Sequence, residues 1–202
     1  MSKQNYIRAF SHIKNHVVSL NGEYLYHDEA LDFSEFIKRA YKSLDTSYSK
    51  FFKMDNLSKL AFLAADVLLE EVNSQEENIA IVLSNRASSL DTDRRHQNSI
   101  EDEANYYPSP AIFVYTLPNI CIGEISIKHK LLSENSFFIF DHFNAAYLFD
   151  YAESLINTKK AGKVLCGWVD FDEENYEAFL YLVSDKGNRI HNKEEITRLY
   201  TL

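Results

Sequence analysis

Apolar and polar positions along the chain are arranged in blocks that predict strands and helices. Residues 16–26 carry β-branched and apolar side chains around an Asn-Gly turn dipeptide and predict a first strand. Residues 34–44 predict a short helix. After Asp55, apolar residues recur at helical spacing, which predicts a second helix with Asp55 as its N-cap. A nearly continuous apolar run at 78–85 is typical of a buried strand in a parallel sheet.

The pattern of the middle of the chain predicts one long loop followed by a helix, a strand and another helix. Residues 86–107 are polar and without periodicity, which favours a loop. A helix is predicted to begin near Pro118. Residues 136–140 predict a strand, and residues 143–158 have the spacing of a helix.

The last two apolar blocks predict a strand pair and complete the element order. Residues 163–171 and 176–184 are joined by a short connection, so we expect them to pair antiparallel. The resulting order, β-α-β-α-β-α-β-β, indicates an α/β protein with a mostly parallel five-stranded sheet and helices on its faces. We expect residues 1–202 to form a single domain, because no linker or internal repeat interrupts them.

Composition supports a compact folded protein and narrows its location. The chain has 202 residues, of which 46% are hydrophobic and 25% are charged, a balance that excludes wholesale disorder. No apolar run approaches the roughly 20 residues that cross a bilayer. The N-terminus lacks the apolar segment of a signal peptide. We therefore expect a cytoplasmic protein without a membrane span.

Charge and cysteine usage remove further classes of partner and cofactor. The net charge of −9 disfavours nucleic acid, which demands a basic face. Cys121 and Cys166 lie among apolar or small residues and are interpreted as buried thiols. No CxxC, HExxH or Cys/His cluster occurs. We expect neither a metal ion nor an organic cofactor.

The junction between the strand at 136–140 and the following helix carries the candidate chemistry. Many α/β enzymes place a nucleophile at such a turn, but this one holds Asp141, His142 and Asn144 with no Ser, Thr or Cys. His142 is open to three interpretations: a general base or acyl acceptor whose ring Asp141 or Asn144 orients, a structural or pocket-lining residue where a nucleophile has been lost, or an ordinary histidine at a strand end.

Four segments, in order and in spacing, resemble the N-terminal part of the β-ketoacyl synthases. FKMDNLSKLAFLAADVLLEE resembles the family's MDRxxxLAxxAAxxAL helix, and NIAIVLSN resembles its next strand. LPNICIGEISIKHKLLSENSFFIF resembles xPNxxAGxIAIxxGLxGPxxTxST, and KVLCGWVDF resembles DxVLAGGxD with Gly167 in place. The similarity extends from about residue 50 to residue 183 and is of the short type known from Bacteroidetes.

The resemblance implies one half of a thiolase-like fold without the family's catalytic groups. In ketosynthases the nucleophilic cysteine lies in TACASG. Residues 140–145 stand in its place, with His142 at the position of the cysteine. The resemblance places the family's two catalytic histidines in a C-terminal half, which we expect to lie outside residues 1–202. The resemblance therefore implies a β-ketoacyl synthase homologue in which the nucleophile and its partners are both missing.

Three functions remain open from the sequence, and whether the protein is an enzyme is left undecided. The first is a catalytically degenerate subunit in fatty acid or polyketide/aryl-polyene synthesis that pairs with a full-length ketosynthase, as a chain length factor does, or with itself. The second is an active acyltransferase or thioester hydrolase that uses His142. The third is a module that binds acyl carrier protein.

Two surfaces follow from these functions. In thiolase-like enzymes the strand equivalent to residues 136–140 pairs across a two-fold axis, so we assign dimerisation to Phe137, Phe138, Ile139 and Phe140; the alternative is that loop 86–107 covers this strand. Acyl carrier protein is acidic, and Arg94 and Arg95 are candidates for docking it. The alternative for this basic pair is a solvated loop patch.

Overall fold

A computed structural model describes residues 4–28, 32–44, 46–71 and 78–202. These ranges contain eight strands and seven α-helices. The strands are β1 (Tyr6–Lys14), β2 (Val17–Leu20), β3 (Glu23–His27), β4 (Ile79–Asn85), β5 (Asn135–Ile139), β6 (Lys163–Asp172), β7 (Asn175–Ser184) and β8 (Arg189–Ile190). The helices are α1 (Phe33–Ser43), α2 (Asn56–Glu71), α3 (Leu90–Asn98), α4 (Pro110–Val114), α5 (Ile120–His129), α6 (Ala145–Asn157) and α7 (Lys193–Tyr200).

The strands form one mixed sheet in the order β3-β2-β1-β7-β6-β4-β5, with β8 added beside β1. Only the pairs β4–β5 and β4–β6 are parallel. The remaining pairs are antiparallel, including β6–β7, as their short connection predicts. The predicted α/β class is confirmed. The prediction of a five-stranded, mostly parallel sheet is wrong in detail, because β1, β2, β3 and β8 enlarge the sheet and pair antiparallel.

Helices cover both faces of the sheet and create two apolar cores. One core lies under α1, α2 and α5, and the other lies under α6 and α7. Successive side chains of β7 point alternately into the two cores: Leu180 and Leu182 belong to the first core, whereas Phe179 and Tyr181 belong to the second. Because both faces are covered, the central strands carry continuous apolar stretches, at 79–83, 164–169 and 178–183, rather than alternating with polar residues.

Helix α2 lies at the centre of the first core, and the predicted N-cap forms. Nearly every residue from Leu57 to Leu69 is buried. The Asp55 carboxylate accepts a hydrogen bond from the Ser58 backbone N–H at 2.9 Å, and its other oxygen accepts one from the Thr92 hydroxyl at 2.8 Å. Asp55 therefore caps α2 and also ties it to α3, within the segment predicted to be a loop.

Segment 86–107 differs from its prediction. It contains α3 and a short 3-10 turn at Glu103–Asn105. Helix α3 buries only Thr92, so it has no apolar stripe to predict it. The described contacts of this segment lead to α2, α4 and β6. They do not support the alternative that it covers β5.

Among the described glycines, Gly167 has the least room for a side chain. It lies in β6, opposite Leu83 of β4 and Leu180 of β7. A Cβ atom at this position would lie 2.1 Å from the Phe179 carbonyl oxygen and 2.9 Å from the Leu180 Cα atom. Only a residue without a side chain fits here.

No helix within the described ranges combines the length and the apolar character needed to cross a bilayer. The longest, α2, has 16 residues and is buried inside the protein's own core. Its apolar surface is thus used for packing against the sheet.

Candidate functional site

The turn after β5 lies at the carboxyl edge of the parallel part of the sheet. Strands β4, β5 and β6 run in the same direction, so their carboxyl ends meet there. The Phe140 backbone N–H donates to the Asn85 carbonyl oxygen at 2.9 Å and holds the beginning of the turn against β4. In open α/β sheets this edge, outside the strand ends, is the usual place for ligands.

The three candidate residues of the turn have different roles. Asn144 is the N-cap of α6: its Oδ1 accepts from the Tyr147 backbone N–H at 2.9 Å. Asp141 and His142 are exposed. In the described part of the chain, no hydrogen bond or ion pair joins the His142 ring to Asp141 or Asn144. The structure thus assigns the oxygen of Asn144 to the helix start and brings no orienting group to His142.

Phe143 anchors the turn to the interior. Its ring stacks on that of Tyr200 with centroids 4.1 Å apart and meets the edges of Phe179 at 5.7 Å and Trp168 at 6.3 Å. Because Phe143 points inward and Asn144 caps α6, the backbone between β5 and α6 is held from both sides. His142 is consequently presented outward from a fixed turn.

The backbone N–H groups that follow the neighbouring end of β4 are hydrogen-bonded by a side chain of β6. Asp170 Oδ1 accepts from the backbone N–H groups of Arg86 at 3.0 Å and Ala87 at 2.9 Å. Its other oxygen lies 3.6 Å from Arg86 Nε. Asp170 therefore fills the place at which free backbone N–H groups would otherwise bind an anionic ligand group.

Neither cysteine supplies a nucleophile to this turn. Cys121 and Cys166 are free thiols that are completely buried in opposite cores. Burial raises the pKa of both thiols well above its ordinary value. A buried, protonated thiol is inert, so both residues act as small apolar groups.

Strand β5 is the outer strand of the sheet on its side and carries three of the four residues assigned to dimerisation, while Phe140 directly follows it. It is hydrogen-bonded to β4, and the strand order ends with it. Phe138 and Phe140 pack against Tyr147 of α6, with ring centroids 4.8 Å and 5.0 Å apart. Phe137 packs against the first core, whereas Ile139 is 51% exposed. The edge is apolar on both faces of the sheet.

The two arginines assigned to carrier docking are in different situations. Arg94 forms an ion pair with Asp172 at the end of β6. Arg95 is exposed and lines a cavity of about 80 Å³ together with Lys53 and Thr92. Only Arg95 is therefore placed among other basic side chains.

Basic residues that are distant in sequence meet around Arg95. Lys59 is buried, and this burial, with the positive charges of Lys38 and Arg95, lowers the pKa of its ammonium group, while the Asp55 carboxylate partly opposes the shift. We call Lys38, Lys53, Lys59 and Arg95 the basic patch. The carboxylates of Asp55 and Asp91 lie among these residues, so the patch keeps a positive excess of two charges, which on a chain with net charge −9 suits an acidic partner.

Among the comparisons with known proteins, only the comparison of three-dimensional structures gives matches. No protein-family description matches the sequence, and no curated protein matches it at a significant level. Solved structures do match. The ishigamide ketosynthase/chain length factor has a TM-score of 0.67 at 17% identity, with 92% of this chain and 64% of that chain covered.

Two further structures give the same result. The ketosynthase ApeO in complex with its chain length factor ApeC, from Xenorhabdus doucetiae, has a TM-score of 0.62 at 15% identity, covering 92% of this chain and 80% of that chain. A β-ketoacyl synthase from Burkholderia phymatum STM815 has a TM-score of 0.60 at 9% identity, covering 97% and 61%. The chain thus spans less than two thirds of two of these three proteins.

These matches define the class of fold. The protein has a thiolase-like fold of the ketosynthase kind, as the resemblance of its sequence segments predicts. At such low identity the likeness establishes architecture and not activity.

Proposed function

We propose that the protein is a catalytically degenerate, ketosynthase-like subunit that pairs with a ketosynthase in a role similar to that of a chain length factor. It would act in the cytoplasm in fatty acid or polyketide/aryl-polyene synthesis. The observation that carries the proposal is the apolar edge at β5, whose outer side pairs with no other described strand, next to a turn without a thiol. Two of the matched structures are ketosynthases with chain length factors, which supports this role.

The backbone of β5 is suited to pairing with another strand. Since the Phe140 N–H points to β4, alternation directs the N–H of Ile139 to the open side. An apolar edge strand left unpaired is an aggregation hazard that proteins normally cover. A partner strand would satisfy the outward N–H and C=O groups of Phe137 and Ile139 and cover the exposed Ile139 side chain.

Replacing Ile139 by proline tests this proposal directly. Proline removes the outward N–H but leaves the hydrogen bonds of β5 to β4 in place, so the fold should persist while the complex dissociates. The matched control, Ile139→Thr, keeps the N–H and should keep the complex. Native mass spectrometry after gentle purification from the host would show one copy with one ketosynthase for the wild type and for Ile139→Thr. For Ile139→Pro we expect the free subunit.

Two outcomes would contradict the proposal. A wild-type monomer or a homodimer in the same experiment would remove the ketosynthase partner. Acyl transfer or thioester hydrolysis with a labelled acyl carrier protein that disappears in His142→Ala would establish the second function, an enzyme that uses His142. The exposed position of His142 without an orienting partner favours the degenerate role over this one.

The basic patch supports a second candidate function, the docking of acyl carrier protein. We expect the double change Lys53→Glu and Arg95→Glu to weaken binding about tenfold at low salt and to flatten its salt dependence. Lys186→Glu is the matched control. Lys186 follows the end of β7, which lies beside the beginning of β6. Arg94 and its neighbour Arg95 lie at the other end of β6, so Lys186 is distant from the basic patch.

Fluorescence anisotropy of a labelled carrier protein at several salt concentrations would measure the effect. We expect Lys186→Glu to bind within about twofold of the wild type. Equal affinities for the double variant and this control would exclude the basic patch as the docking surface.

A further inference from the structure

Two helices of the first core bring together a histidine and two carboxylates that the proposed function does not use. Asp66 and Glu70 lie one turn apart on α2, and His129 lies at the end of α5. One ligand atom from each residue lies within 4.8 Å of the other two. Asp66 is 2% exposed and His129 is 8% exposed, while the Glu70 side chain is 63% exposed. The cluster therefore has a buried base and an open rim.

The contact between the two buried members has an unusual geometry. His129 Nε2 lies 2.9 Å from Asp66 Oδ1, an ion-pair distance, but neither of these buried atoms has a hydrogen-bond partner among the described residues. Two ligand atoms that are each about 2.1 Å from an ion lie about 3.0 Å apart at octahedral angles and about 3.4 Å apart at tetrahedral angles, so the observed separation is within about 0.5 Å of either arrangement. In either arrangement the nitrogen lone pair points at the ion and away from the oxygen, which agrees with this contact.

The charges around the cluster favour a cation. A buried carboxylate oxygen without a hydrogen-bond donor is costly unless a positive charge compensates it. The nearest competitor is Lys128, whose ammonium lies 3.6 Å from Glu70 Oε1 and also reaches the Ser47 carbonyl oxygen at 3.4 Å. Lys128 contacts the exposed member at the rim, so an ion can displace it there without disturbing Asp66 or His129.

We propose that Asp66, Glu70 and His129 bind a divalent first-row transition ion, with Zn²⁺ as the representative, and that water completes the coordination at the open rim. One imidazole and two carboxylates form a ligand set of this kind. The ion would join α2 to the end of α5 and so stabilise the packing of the two helices. Sequence spacing conceals the site, because His129 comes from a different helix from the carboxylates.

Zinc binding by the full chain tests the proposal. Protein treated with EDTA and dialysed would be titrated with Zn²⁺ in competition with a chromophoric chelator, and Co²⁺ would report the ligand field by visible absorption. We expect one ion per chain, a loss of binding in His129→Gln, and an affinity lower by about tenfold or more in Glu70→Gln. Glu71→Gln, an exposed carboxylate at the end of the same helix, is the matched control and should bind like the wild type.

The exposed position of Glu70 keeps the test decisive even where His129→Gln does not fold. Circular dichroism would establish that Glu70→Gln and Glu71→Gln retain the wild-type structure. A wild-type protein that binds neither Zn²⁺ nor Co²⁺ overturns the proposal. So does equal affinity in the wild type, Glu70→Gln and Glu71→Gln, because binding would then occur elsewhere.

Discussion

Gly167→Ala is expected to lower the free energy of unfolding by about 3 kcal/mol or more. The added methyl group would lie 2.1 Å from the Phe179 carbonyl oxygen, which belongs to the backbone of the adjacent strand β7. A flexible side chain can rotate away from such a contact, but two hydrogen-bonded strands must separate. Because Gly167 lies between β4 and β7 in the middle of the sheet, that separation would weaken both cores at once.

Urea unfolding followed by circular dichroism would measure this effect. Gly162→Ala is the matched control, since its nearest contact would be the Asn78 carbonyl oxygen at an ordinary 3.6 Å. We expect the control to change the stability by less than about 1 kcal/mol. A Gly167→Ala protein as stable as Gly162→Ala would show that β6 and β7 can move apart without cost.

The second large effect is a loss of stability in mild acid that depends on His12. This side chain of β1 is buried and stacks on Phe179, with centroids 4.8 Å apart. Burial, helped by the positive charge of Lys14 and only partly offset by the carbonyl groups of Tyr200 and Leu199, lowers its pKa from 6.5 to about 4. The folded protein thus resists protonation at a position that the unfolded chain protonates readily.

The direction of the pH effect follows from this difference. Between pH 6.5 and about 4 the unfolded chain binds more protons at His12 than the folded protein, so stability falls as the pH is lowered. The full difference corresponds to at most about 3 kcal/mol. We expect His12→Phe, which keeps a stacking ring but does not titrate, to flatten the decrease in this range.

Unfolding free energies measured at several pH values from 7 to 4 would show the effect. His142→Gln, which replaces an exposed imidazole on the turn after β5, is the control for the removal of a histidine. Part of the slope should remain in His12→Phe, since burial also lowers the pKa of His191. An identical slope in His12→Phe and the wild type would contradict the assignment to His12.

Sequence patterns predict the elements that bury an apolar stripe or run. The periodic apolar residues after Asp55 predict α2 together with its cap, and the apolar run at 78–85 predicts β4. The Asn-Gly dipeptide marks a turn, but residues 16–26 hold two strands, β2 and β3, joined there rather than one. Where an element buries one face or all of its side chains, the pattern of apolar residues is enough to predict that element.

The elements that the apolar pattern does not predict, β1, α3 and α7, lack apolar periodicity or show other features in the sequence. Strand β1 has a bulge between Ile7 and Ala9 and contributes to both cores, so its polar and apolar residues do not alternate. Helix α3 is polar, although its acidic first turn and basic last turn match the helix dipole. The N-cap of helix α7 is Asn192, whose Oδ1 accepts from the Glu195 N–H at 2.7 Å, a capping pattern visible in the sequence.

The candidate site is less predictable than the fold. Sequence order shows that Asp141, His142 and Asn144 share a turn, and the role of Asn144 as a cap follows from its place before α6. Sequence order does not show that Arg94 forms an ion pair with Asp172 or that Arg95 lies in the basic patch. Both positions depend on how α3 packs against the rest of the protein. Contacts between distant helices, such as Asp66 with His129, lie beyond any local pattern.

The position of β1 in the sheet determines when the protein can fold during its synthesis. Strands β1, β2 and β3 are synthesised before β7 and β8 and pair locally, yet β1 also needs β7, with Tyr6 opposite Ser184, and β8. Until those residues emerge, the nascent chain exposes an unpaired strand edge with apolar side chains on both sides. Such distant pairing slows folding and favours aggregation. We therefore expect a chaperone that shields nascent chains to raise the yield of folded protein.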